Sequence, residues 1–331
     1  MSETKPIRIA LVGIGGIALA YEEAFAKAPR AQLCAVIDTD SERADEAAAR
    51  TRTVGYSSLE DLLKSGTDCD AIILCTPPNT HCALTCQAIE AGLHVLCEKP
   101  LSIDSDSAEK MKATSERTGK VLTMASKFRY VDDVAKSKEM LDSGLIGDLV
   151  LFENAFTSSI DMSGRWNSSP EISGGGVLID NGTHSLDIAR FLLGPIADVR
   201  VVEGLRTQSL EVEETVAIFL RSESGAIGNI DLSWTIHKPL DYFIRLHGSK
   251  GLISVGWGES KYKLTGEDWV VFGEGYDKVG AFRNQLENFA GALLGEEELR
   301  ITADDGVASV RAIEAAYEAL HSDPWVPVAR A

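Results

Sequence analysis

The range Ile7–Ala18, with the sequence IRIALVGIGGIA, decides the fold of this chain. Residues up to Val12 are mostly apolar, as in a strand that is covered on both faces of a sheet. Gly13 follows at once and permits a tight turn, and a helix is predicted to open near Ile17. The order of strand, glycine turn and helix predicts the first unit of a doubly wound parallel sheet.

The glycine turn also fits the pattern G-x-G-x-x-G/A of dinucleotide-binding loops. The N-terminus of a helix behind such a turn offers free N–H groups and a partial positive charge to a pyrophosphate. The alternative is a glycine turn in an α/β domain that binds no ligand. The predicted cofactor-binding residues of this loop are Gly13, Ile14, Gly15, Gly16 and Ile17.

An acidic residue, Asp38, closes the second predicted strand, Gln32–Ile37. A carboxylate at this place binds the ribose hydroxyls of an adenosine and repels a 2′-phosphate. We therefore expect NAD as the cofactor rather than NADP. A solvated aspartate at the end of a strand is the alternative.

Two further turns follow later strands at the same predicted edge of the sheet, where ligands bind in open α/β folds. The first, TPPN, comes after the apolar run Asp70–Cys75, and its prolines exclude helix until Thr80. The second, EKP, comes after the strand His94–Cys97 and places a lysine where a nicotinamide would sit. The residues of these turns that are predicted to contact the cofactor are Thr76, Pro77, Asn79, His81, Glu98 and Lys99.

The chain changes character after about residue 128, where alternating and β-branched runs predict a mostly antiparallel sheet. These runs are Asp148–Phe156, Val199–Leu205, Glu213–Arg221, Ala226–Trp234 and Asp241–His247. The helices predicted between and after them are Val177–Leu193, Ala281–Leu294 and Ala303–His321.

The length of 331 residues favours two domains. We predict an α/β domain with a doubly wound parallel sheet that binds NAD over residues 1–127. Residues 128–331 are predicted to form an α+β domain with a large, mostly antiparallel open sheet for substrate binding and oligomerisation.

The signature GGGVLIDNGTH, residues 174–184, places a carboxylate and an imidazole four residues apart. On a helix this spacing brings Asp180 and His184 to one face. With Lys99 they supply the cation, the acid/base imidazole and the carboxylate that hydride transfer from an alcohol requires, so these three are the predicted catalytic residues. The alternatives are a polar helix face and an exposed lysine at a strand end.

With these motifs the chain resembles the glucose–fructose oxidoreductase/inositol dehydrogenase family, often called Gfo/Idh/MocA, over nearly its whole length. The resemblance rests on the glycine turn, TPPN, EKP and the pattern Gly-Gly-Gly-x-x-x-Asp-x-x-x-His. It implies a Rossmann domain and an open α+β domain whose sheet often mediates oligomers, here a homodimer or homotetramer. It also implies a Lys, Asp and His set that acts on a sugar, cyclitol or similar polyol.

Oxidation of a secondary alcohol needs a hydride acceptor and a base for the hydroxyl proton. His184 is one candidate base, because an imidazole titrates near neutral pH, and Lys99 would then stabilise the charge that develops on the oxygen. Lys99 is the other candidate base, and the sequence leaves the choice open. Asp180 is expected to bind substrate hydroxyls, and Asp187 is a candidate partner that fixes the tautomer of His184.

Further substrate contacts are expected from Lys127 and Arg129, which leave the last strand of the first domain, and from Trp166, in a loop before the glycines. Arg129 matches an arginine common in the family. The family often carries asparagine at the place of Lys127, where an extra cation suits an anionic substrate group. Trp166 is expected to stack on a sugar, with a plain surface loop as the alternative. The predicted substrate-binding residues are Lys99, Lys127, Arg129, Trp166, Asp180 and His184.

Composition excludes several other classes of protein. A formal net charge of −18 argues against nucleic-acid binding, which relies on clustered Lys and Arg. No apolar run is long enough to span a membrane, and the amino terminus lacks a signal-peptide pattern, so a cytoplasmic protein is expected. His81, Cys82 and Cys86 have no second ligand pair at zinc-site spacing, so no metal is predicted.

We therefore expect an NAD-dependent dehydrogenase that oxidises a sugar, a cyclitol or a sugar derivative. The first alternative is an NAD-dependent glycoside hydrolase or lyase that oxidises its substrate transiently and recycles the cofactor, without net formation of NADH. The second is a non-catalytic NAD-sensing regulator; such proteins can lose the catalytic lysine or histidine, whereas this chain has Lys99, Asp180 and His184.

Overall fold

The computed structural model describes residues 5–322, which fall into two compact units. The first unit extends to Asp132 and also contains Asp277–Val310. The second comprises Asp133–Tyr276 and, within the described part of the chain, residues 311–322. The outer ends of the predicted domains, residues 1–4 and 323–331, lie outside the described residues, and so does most of the amino-terminal segment searched for a signal peptide.

Ten helices are described, together with short 3-10 turns at Pro78–Thr80, Lys127–Tyr130 and Trp166–Ser168. The helices are α1 (Ala18–Phe25), α2 (Ser41–Thr51), α3 (Leu59–Ser65), α4 (His81–Glu90), α5 (Ser105–Thr118), α6 (Asp132–Asp142), α7 (Pro170–Ser173), α8 (Val177–Leu193), α9 (Lys278–Leu293) and α10 (Ala303–His321).

The first unit is built on six strands. They are β1 (Ile7–Val12), β2 (Ala31–Ile37), β3 (Val54–Tyr56), β4 (Ala71–Leu74), β5 (His94–Glu98) and β6 (Leu122–Ala125). The strands lie in the order β3-β2-β1-β4-β5-β6, and all neighbouring pairs are parallel. The strand order reverses between β1 and β4, and in folds of this kind ligands bind outside the carboxyl ends of the strands at that point.

Both faces of this sheet are buried, as the prediction of a doubly wound fold requires. Ile9 and Leu11 of β1 pack in one apolar cluster with residues of α1 and α9. Ala10 and Val12 pack in a second cluster with residues of α4 and α5. The alternation along β1 therefore divides the core into two layers.

The second unit is built on eight further strands. They are β7 (Leu149–Thr157), β8 (Ile196–Glu203), β9 (Thr215–Ser222), β10 (Ile227–Ser233), β11 (Tyr242–Gly248), β12 (Gly251–Gly256), β13 (Ser260–Leu264) and β14 (Val270–Gly273). Their order is β14-β13-β12-β11-β7-β10-β9-β8, in which β7 and β10 run parallel and all other pairs antiparallel. The predicted fold class, a parallel α/β sheet followed by a mostly antiparallel open sheet, is confirmed.

The eight-stranded sheet has one buried face and one accessible face. Helix α8 packs against β7, β8, β9 and β10. In β9 the side chains of Ile218 and Leu220 are buried, whereas Phe219 and Arg221 between and after them are exposed. The sequence patterns do not predict strands β3, β12, β13 and β14, because runs of three to six residues are too short to show a clear alternation.

Helix α9 returns to the first unit, so the predicted second domain, 128–331, does not coincide with the second unit. Phe282, Leu286 and Phe289 of α9 are fully buried against the parallel sheet. An amphipathic pattern shows that a helix is buried, but it does not show which sheet the helix covers. Within residues 5–322, no helix is both long and apolar enough to cross a membrane.

Candidate active site

The glycine turn leaves an open, uncapped helix start at the edge of the parallel sheet. Gly13 has a φ of +87°, and a Cβ there would lie 2.8 Å from the carbonyl carbon of Cys75, so no other residue fits. Gly15 and Gly16 are exposed, and a Cβ on either would meet nothing within 4 Å. No side chain caps α1 at Ile17. Accessible backbone before a free helix N-terminus fits the pyrophosphate of a dinucleotide.

Asp38 is hydrogen-bonded to the glycine turn. Its Oδ2 accepts a 2.8 Å hydrogen bond from the backbone N–H of Ile14, and its Oδ1 accepts one of 3.0 Å from Asp40. The guanidinium of Arg43 lies 3.4 Å from both carboxylate oxygens. Asp38 is therefore fixed beside the turn, and the positively charged side chain of Arg43 lies next to it.

The TPPN turn keeps Thr76, Pro77 and Asn79 accessible at the sheet edge, whereas His81 is fully buried. The Nδ1 of His81 lies 2.9 Å from the carbonyl oxygen of Pro100, and its Nε2 lies 2.9 Å from that of Thr76. Burial lowers the pKa of His81, so the ring is neutral near pH 7 and donates to one carbonyl at a time. This placement favours a role in joining the TPPN and EKP turns over direct contact with a cofactor.

The carboxylate of the EKP turn is buried beneath its own backbone. Glu98 is 9% exposed, and it accepts hydrogen bonds from the Tyr21 hydroxyl at 2.8 Å and from the Lys99 N–H at 3.1 Å. The side-chain amide of Gln285 donates to the Tyr21 oxygen at 2.9 Å. Burial raises the pKa of Glu98, while the Tyr21 hydrogen bond and the charges of Lys99 and Lys127 oppose that shift.

Sequence reasoning missed Tyr21 and Gln285. The sequence does show a glutamine, Gln285, among the apolar residues of α9. A buried side-chain amide needs a hydrogen-bond partner, so this glutamine indicates a buried polar contact. With Glu98 these residues form a hydrogen-bonded chain that anchors the segment carrying Lys99. The peptide bond between Lys99 and Pro100 is cis.

Lys127 and Arg129 lie in the 3-10 turn after β6 and have different surroundings. The Lys127 ammonium lies 5.3 Å from the ring centroid of Phe128 and 5.7 Å from that of Phe282. Arg129 is buried, and both of its terminal nitrogens lie 3.3 Å from Oδ1 of Asp305. This ion pair favours a structural role for Arg129 over the substrate contact that the sequence suggested.

Close backbone packing accounts for the glycines of the GGG motif. Gly174 ends α7 with a φ of +83°. A Cβ on Gly175 would overlap the hydroxyl of Tyr317, and one on Gly176 would overlap the carbonyl oxygen of Glu213. The motif is therefore needed to start α8 at this position.

Glu213 anchors the N-terminus of α8. This buried residue uses Oε1 to accept hydrogen bonds of 3.0 Å from the N–H groups of Gly176 and Leu178 and one of 2.8 Å from the Tyr317 hydroxyl. A carboxylate at a helix N-terminus also interacts favourably with the helix dipole. Sequence reasoning missed this role and treated Glu213 as part of a strand, although a pair of glutamates before an apolar run was visible.

Asp180 and His184 occupy one face of α8, as predicted from their spacing. Asp180 is half-buried, and His184 is 9% exposed. The imidazole meets the ring of Phe156 edge to face, with 6.4 Å between centroids and an interplanar angle of 78°. Asp187, the candidate partner of His184, is fully buried within the same helix. Phe156 was not anticipated as a neighbour of the imidazole.

A second buried glutamate, Glu214, forms hydrogen bonds with the loop after β8 and with the loop after β10. It accepts hydrogen bonds of 2.8 Å from the backbone N–H groups of Thr207 and Gln208 and one of 3.0 Å from the Thr235 hydroxyl. Burial raises the pKa of Glu214, but these hydrogen bonds outweigh burial and lower it. Gln208 in turn donates to the carbonyl oxygen of Ile160 at 3.0 Å.

Trp166 lies in the loop before the GGG motif and is 46% exposed, so its ring is accessible. His237 is exposed in the loop after β10. Among residues 5–322, no group of three or more His, Cys, Asp or Glu side chains is arranged to hold a metal ion. In the first unit the structure brings together the glycine turn, Asp38, TPPN and EKP, and in the second it brings together Asp180 and His184.

The chain is similar to known dehydrogenases over nearly its full length. It is 25% identical to inositol 2-dehydrogenase of Rhizobium meliloti, with 98% of this chain and 99% of the relative covered. It is also 25% identical to D-xylose 1-dehydrogenase [NADP(+)] of Haloarcula marismortui, with 97% and 93% covered.

Solved structures show the same fold. The inositol dehydrogenase homolog from Azotobacter vinelandii, complexed with NAD+, superposes with a TM-score of 0.86 at 22% identity, covering 96% of this chain and 95% of that one. The WlbA dehydrogenase from Bordetella pertussis, in complex with NADH and UDP-GlcNAcA, gives 0.83 at 25% identity, with 95% of each chain covered.

Two family models match the two halves of the chain. The model of the oxidoreductase family with an NAD-binding Rossmann fold matches residues 7–126, and that of the Gfo/Idh/MocA C-terminal domain matches residues 134–254. With the glycine turn, the EKP turn and the Asp180–His184 face in place, the chain belongs to the Gfo/Idh/MocA family of oxidoreductases.

Proposed function

We propose that this protein is an NAD-dependent dehydrogenase that oxidises a secondary hydroxyl of a sugar, a cyclitol or a sugar derivative. The observation that carries the proposal is the placement of Asp180 and His184 on one face of α8, in a chain of the Gfo/Idh/MocA family that also has Lys99 in its EKP turn. Relatives named as inositol, xylose, D-glucoside and levoglucosan dehydrogenases support this substrate class.

Each of the three residues has a distinct task in the proposed reaction. His184 takes the hydroxyl proton through its imidazole, which is held almost buried against Phe156. Lys99 hydrogen-bonds the same oxygen and stabilises its developing negative charge. Half-buried Asp180 accepts hydrogen bonds from neighbouring hydroxyls of the substrate. A nicotinamide held at the carboxyl edge of the parallel sheet supplies the hydride acceptor.

NAD is proposed as the cofactor rather than NADP, because Asp38 is fixed beside the glycine turn. A carboxylate at this place repels a 2′-phosphate and binds ribose hydroxyls. The named NADP dependence of the xylose dehydrogenase relative shows that the family contains both preferences. Arg43, which lies next to Asp38, is the residue that would otherwise favour a phosphate.

The decisive experiment measures net formation of NADH with a panel of cyclitols, aldoses, uronates and nucleotide sugars. Steady formation of NADH with one of these identifies a dehydrogenase, whereas consumption of a glycoside without NADH identifies the recycling hydrolase or lyase. Lys99→Ala and His184→Ala should each reduce kcat by roughly 10²–10⁴-fold. Near-normal turnover of either variant would contradict its assigned role.

The variant Lys99→Arg distinguishes the two tasks open to this lysine. Arginine keeps the positive charge but stays protonated, so it stabilises an alkoxide and does not act as a base. Substantial residual activity of Lys99→Arg with loss of activity in His184→Ala supports His184 as the base. The opposite pattern assigns the base to Lys99. Binding of NADH, followed by its fluorescence, shows whether each variant still holds the cofactor.

We also propose that the protein forms a homodimer or homotetramer through the accessible face of the eight-stranded sheet. Phe219 and Ile227, on neighbouring strands, are each 53% exposed there. Apolar side chains on the open face of a wide sheet are typical of an interface between subunits.

A further inference from the structure

A series of aromatic rings leads from His184 to the surface of the second unit. Phe156 contacts the imidazole and also lies 6.0 Å from Phe243 and 6.1 Å from Trp257, measured between ring centroids. Trp257 packs 4.7 Å from Phe243 and meets Tyr276 edge to face at 5.7 Å. The ring of Phe156 therefore contacts both the imidazole of His184 and the indole of Trp257.

Exposure changes sharply along this series. Phe243 is fully buried and Phe156 is 8% exposed, but Trp257 is 45% exposed. Phe243 packs on the indole at a tilt of 40°, so the buried rings support Trp257 from the protein side. An aromatic ring that is held rigidly from one side and open on the other presents a large apolar surface at little entropic cost.

The indole lies on the side of the sheet that α8 covers. Phe156 is on that side because its ring contacts His184, and Trp257 contacts Phe156 directly. Phe219 and Ile227, the apolar residues proposed for subunit contact, belong to the opposite face. Trp257 is therefore exposed on the side of the sheet that carries His184, and not on the face proposed for contact between subunits.

The charged residues that adjoin the indole in the sequence are mostly acidic. Within two residues of Trp257 or Tyr276 the chain carries Glu259, Glu274 and Asp277, and one cation, Lys278. Lys261 is already paired with Asp241 and Glu259, and its ammonium lies over the ring of Trp269. A diphosphate would need cations here, so the nucleotide part of a nucleotide sugar is disfavoured.

We propose that Trp257, with Tyr276 beside it, forms a stacking subsite for a second, uncharged pyranose ring of the substrate. The apolar face of a pyranose lies flat on an indole, and the hydroxyls at its rim stay in water. The substrates would then include disaccharide-sized glycosides, whose first ring is oxidised beside His184 while the second rests on Trp257. This inference deepens the proposed function and rests on it.

The test compares wild type with Trp257→Ala and Trp257→Phe on glucose, maltose and cellobiose. In Trp257→Ala the KM for the disaccharide that is oxidised should rise roughly tenfold, as expected from loss of an aromatic contact of about 1.4 kcal/mol. The kcat and the KM for glucose should stay within about twofold, and Trp257→Phe should recover most of the affinity. The matched control is Trp269→Ala, which removes another half-exposed tryptophan.

Equal effects of Trp257→Ala on glucose and on the disaccharide, or no effect on either, would overturn the subsite. A readout without turnover separates this failure from failure of the proposed function. Titration of the protein with maltose or cellobiose should quench tryptophan fluorescence, and the quench should vanish in Trp257→Phe. Binding of this kind, without NADH formation from these disaccharides or from any compound of the panel, keeps the subsite and removes the dehydrogenase proposal. Absence of disaccharide binding in the wild type overturns the subsite.

Discussion

The hydroxyl of Tyr21 donates a 2.8 Å hydrogen bond to the carboxylate of Glu98, the buried first residue of the EKP turn. Tyr21 is itself fully buried and accepts a hydrogen bond from Gln285, a residue 264 positions away in the sequence. The segment that carries Lys99 is therefore held by side chains from α1 and α9, beneath the edge where the cofactor is proposed to bind.

Tyr21→Phe should destabilise the protein in a pH-dependent manner. The variant leaves a buried carboxylate without its hydroxyl donor, which costs about 1–3 kcal/mol of unfolding free energy. Burial already raises the pKa of Glu98, so ionised Glu98 reduces stability as the pH rises above 4.5, the ordinary value for a glutamate. Loss of the hydrogen bond raises this pKa further, so the destabilisation measured by urea should be larger at about pH 8 than at about pH 4.

The matched control is Tyr56→Phe, which removes a hydroxyl that is hydrogen-bonded to the neutral Thr67 at 2.6 Å. Its effect should be smaller and independent of pH. A pH-independent loss in Tyr21→Phe would show that the hydroxyl does not act on the charge of Glu98.

Asp38→Ser should reduce the preference for NAD over NADP. The substitution removes the negative charge that repels a 2′-phosphate and releases Arg43, which lies 3.4 Å from the carboxylate. The ratio of kcat/KM for NAD to that for NADP should fall by roughly 10-fold or more, the factor for each 1.4 kcal/mol. The double variant Asp38→Ser with Arg43→Ala should lose the gain for NADP. An unchanged ratio in Asp38→Ser would remove Asp38 from cofactor selection.

Glu213→Ala should destabilise α8 and the site that it carries. The variant leaves the N–H groups of Gly176 and Leu178 and the Tyr317 hydroxyl without their shared acceptor, at an expected cost of about 3 kcal/mol. Tyr317→Phe should cost less, and a double-mutant cycle between the two should give a coupling of more than about 0.5 kcal/mol. Glu211→Ala, at an exposed position of the same segment, is the control and should be close to neutral. Additive effects of the two variants would show that the hydrogen bond contributes nothing.

His81→Gln should flatten the loss of stability at acid pH. Burial lowers the pKa of His81 from its ordinary value of 6.5, so the unfolded chain takes up a proton at a higher pH than the folded protein does. The contribution of neutral His81 to the free energy of unfolding is therefore fully present above pH 6.5, and it is lost as the pH falls below that value. Denaturation measured at a series of pH values should show a shallower slope in the variant.

The control for this experiment is His237→Gln, because His237 is exposed in a loop of the second unit. Its free energy of unfolding should stay within about 0.5 kcal/mol of the wild-type value, as for most surface substitutions. An unchanged slope in His81→Gln would contradict the burial of a neutral imidazole between the two turns.

Phe219→Glu combined with Ile227→Glu should convert the proposed oligomer to a monomer. Two charges on the accessible face of the sheet would have to be desolvated in a subunit interface. Light scattering after size-exclusion chromatography should report the change in mass. Leu205→Glu is the control, because Leu205 is 84% exposed but lies outside the strands. Retention of the wild-type mass in the double variant would exclude this face as the interface.

The sequence by itself determined the features that depend on neighbours within one turn or one strand. Helices α8 and α10 have the predicted limits, Val177–Leu193 and Ala303–His321, because their apolar residues recur at helical spacing and glycine or acidic residues mark an end. The glycine turn follows a strand and precedes a helix, and the spacing of Asp180 and His184 alone puts them on one face of α8.

Only the tertiary structure decided which distant segments meet. Helix α9 returns to the parallel sheet, Gln285 reaches Tyr21, Arg129 pairs with Asp305, and Glu213 binds the start of α8. A local pattern shows that a side chain is buried or polar, but the residue that it contacts depends on how distant parts of the chain fold together. Buried polar groups must find partners, and the sequence does not state where along the chain those partners lie.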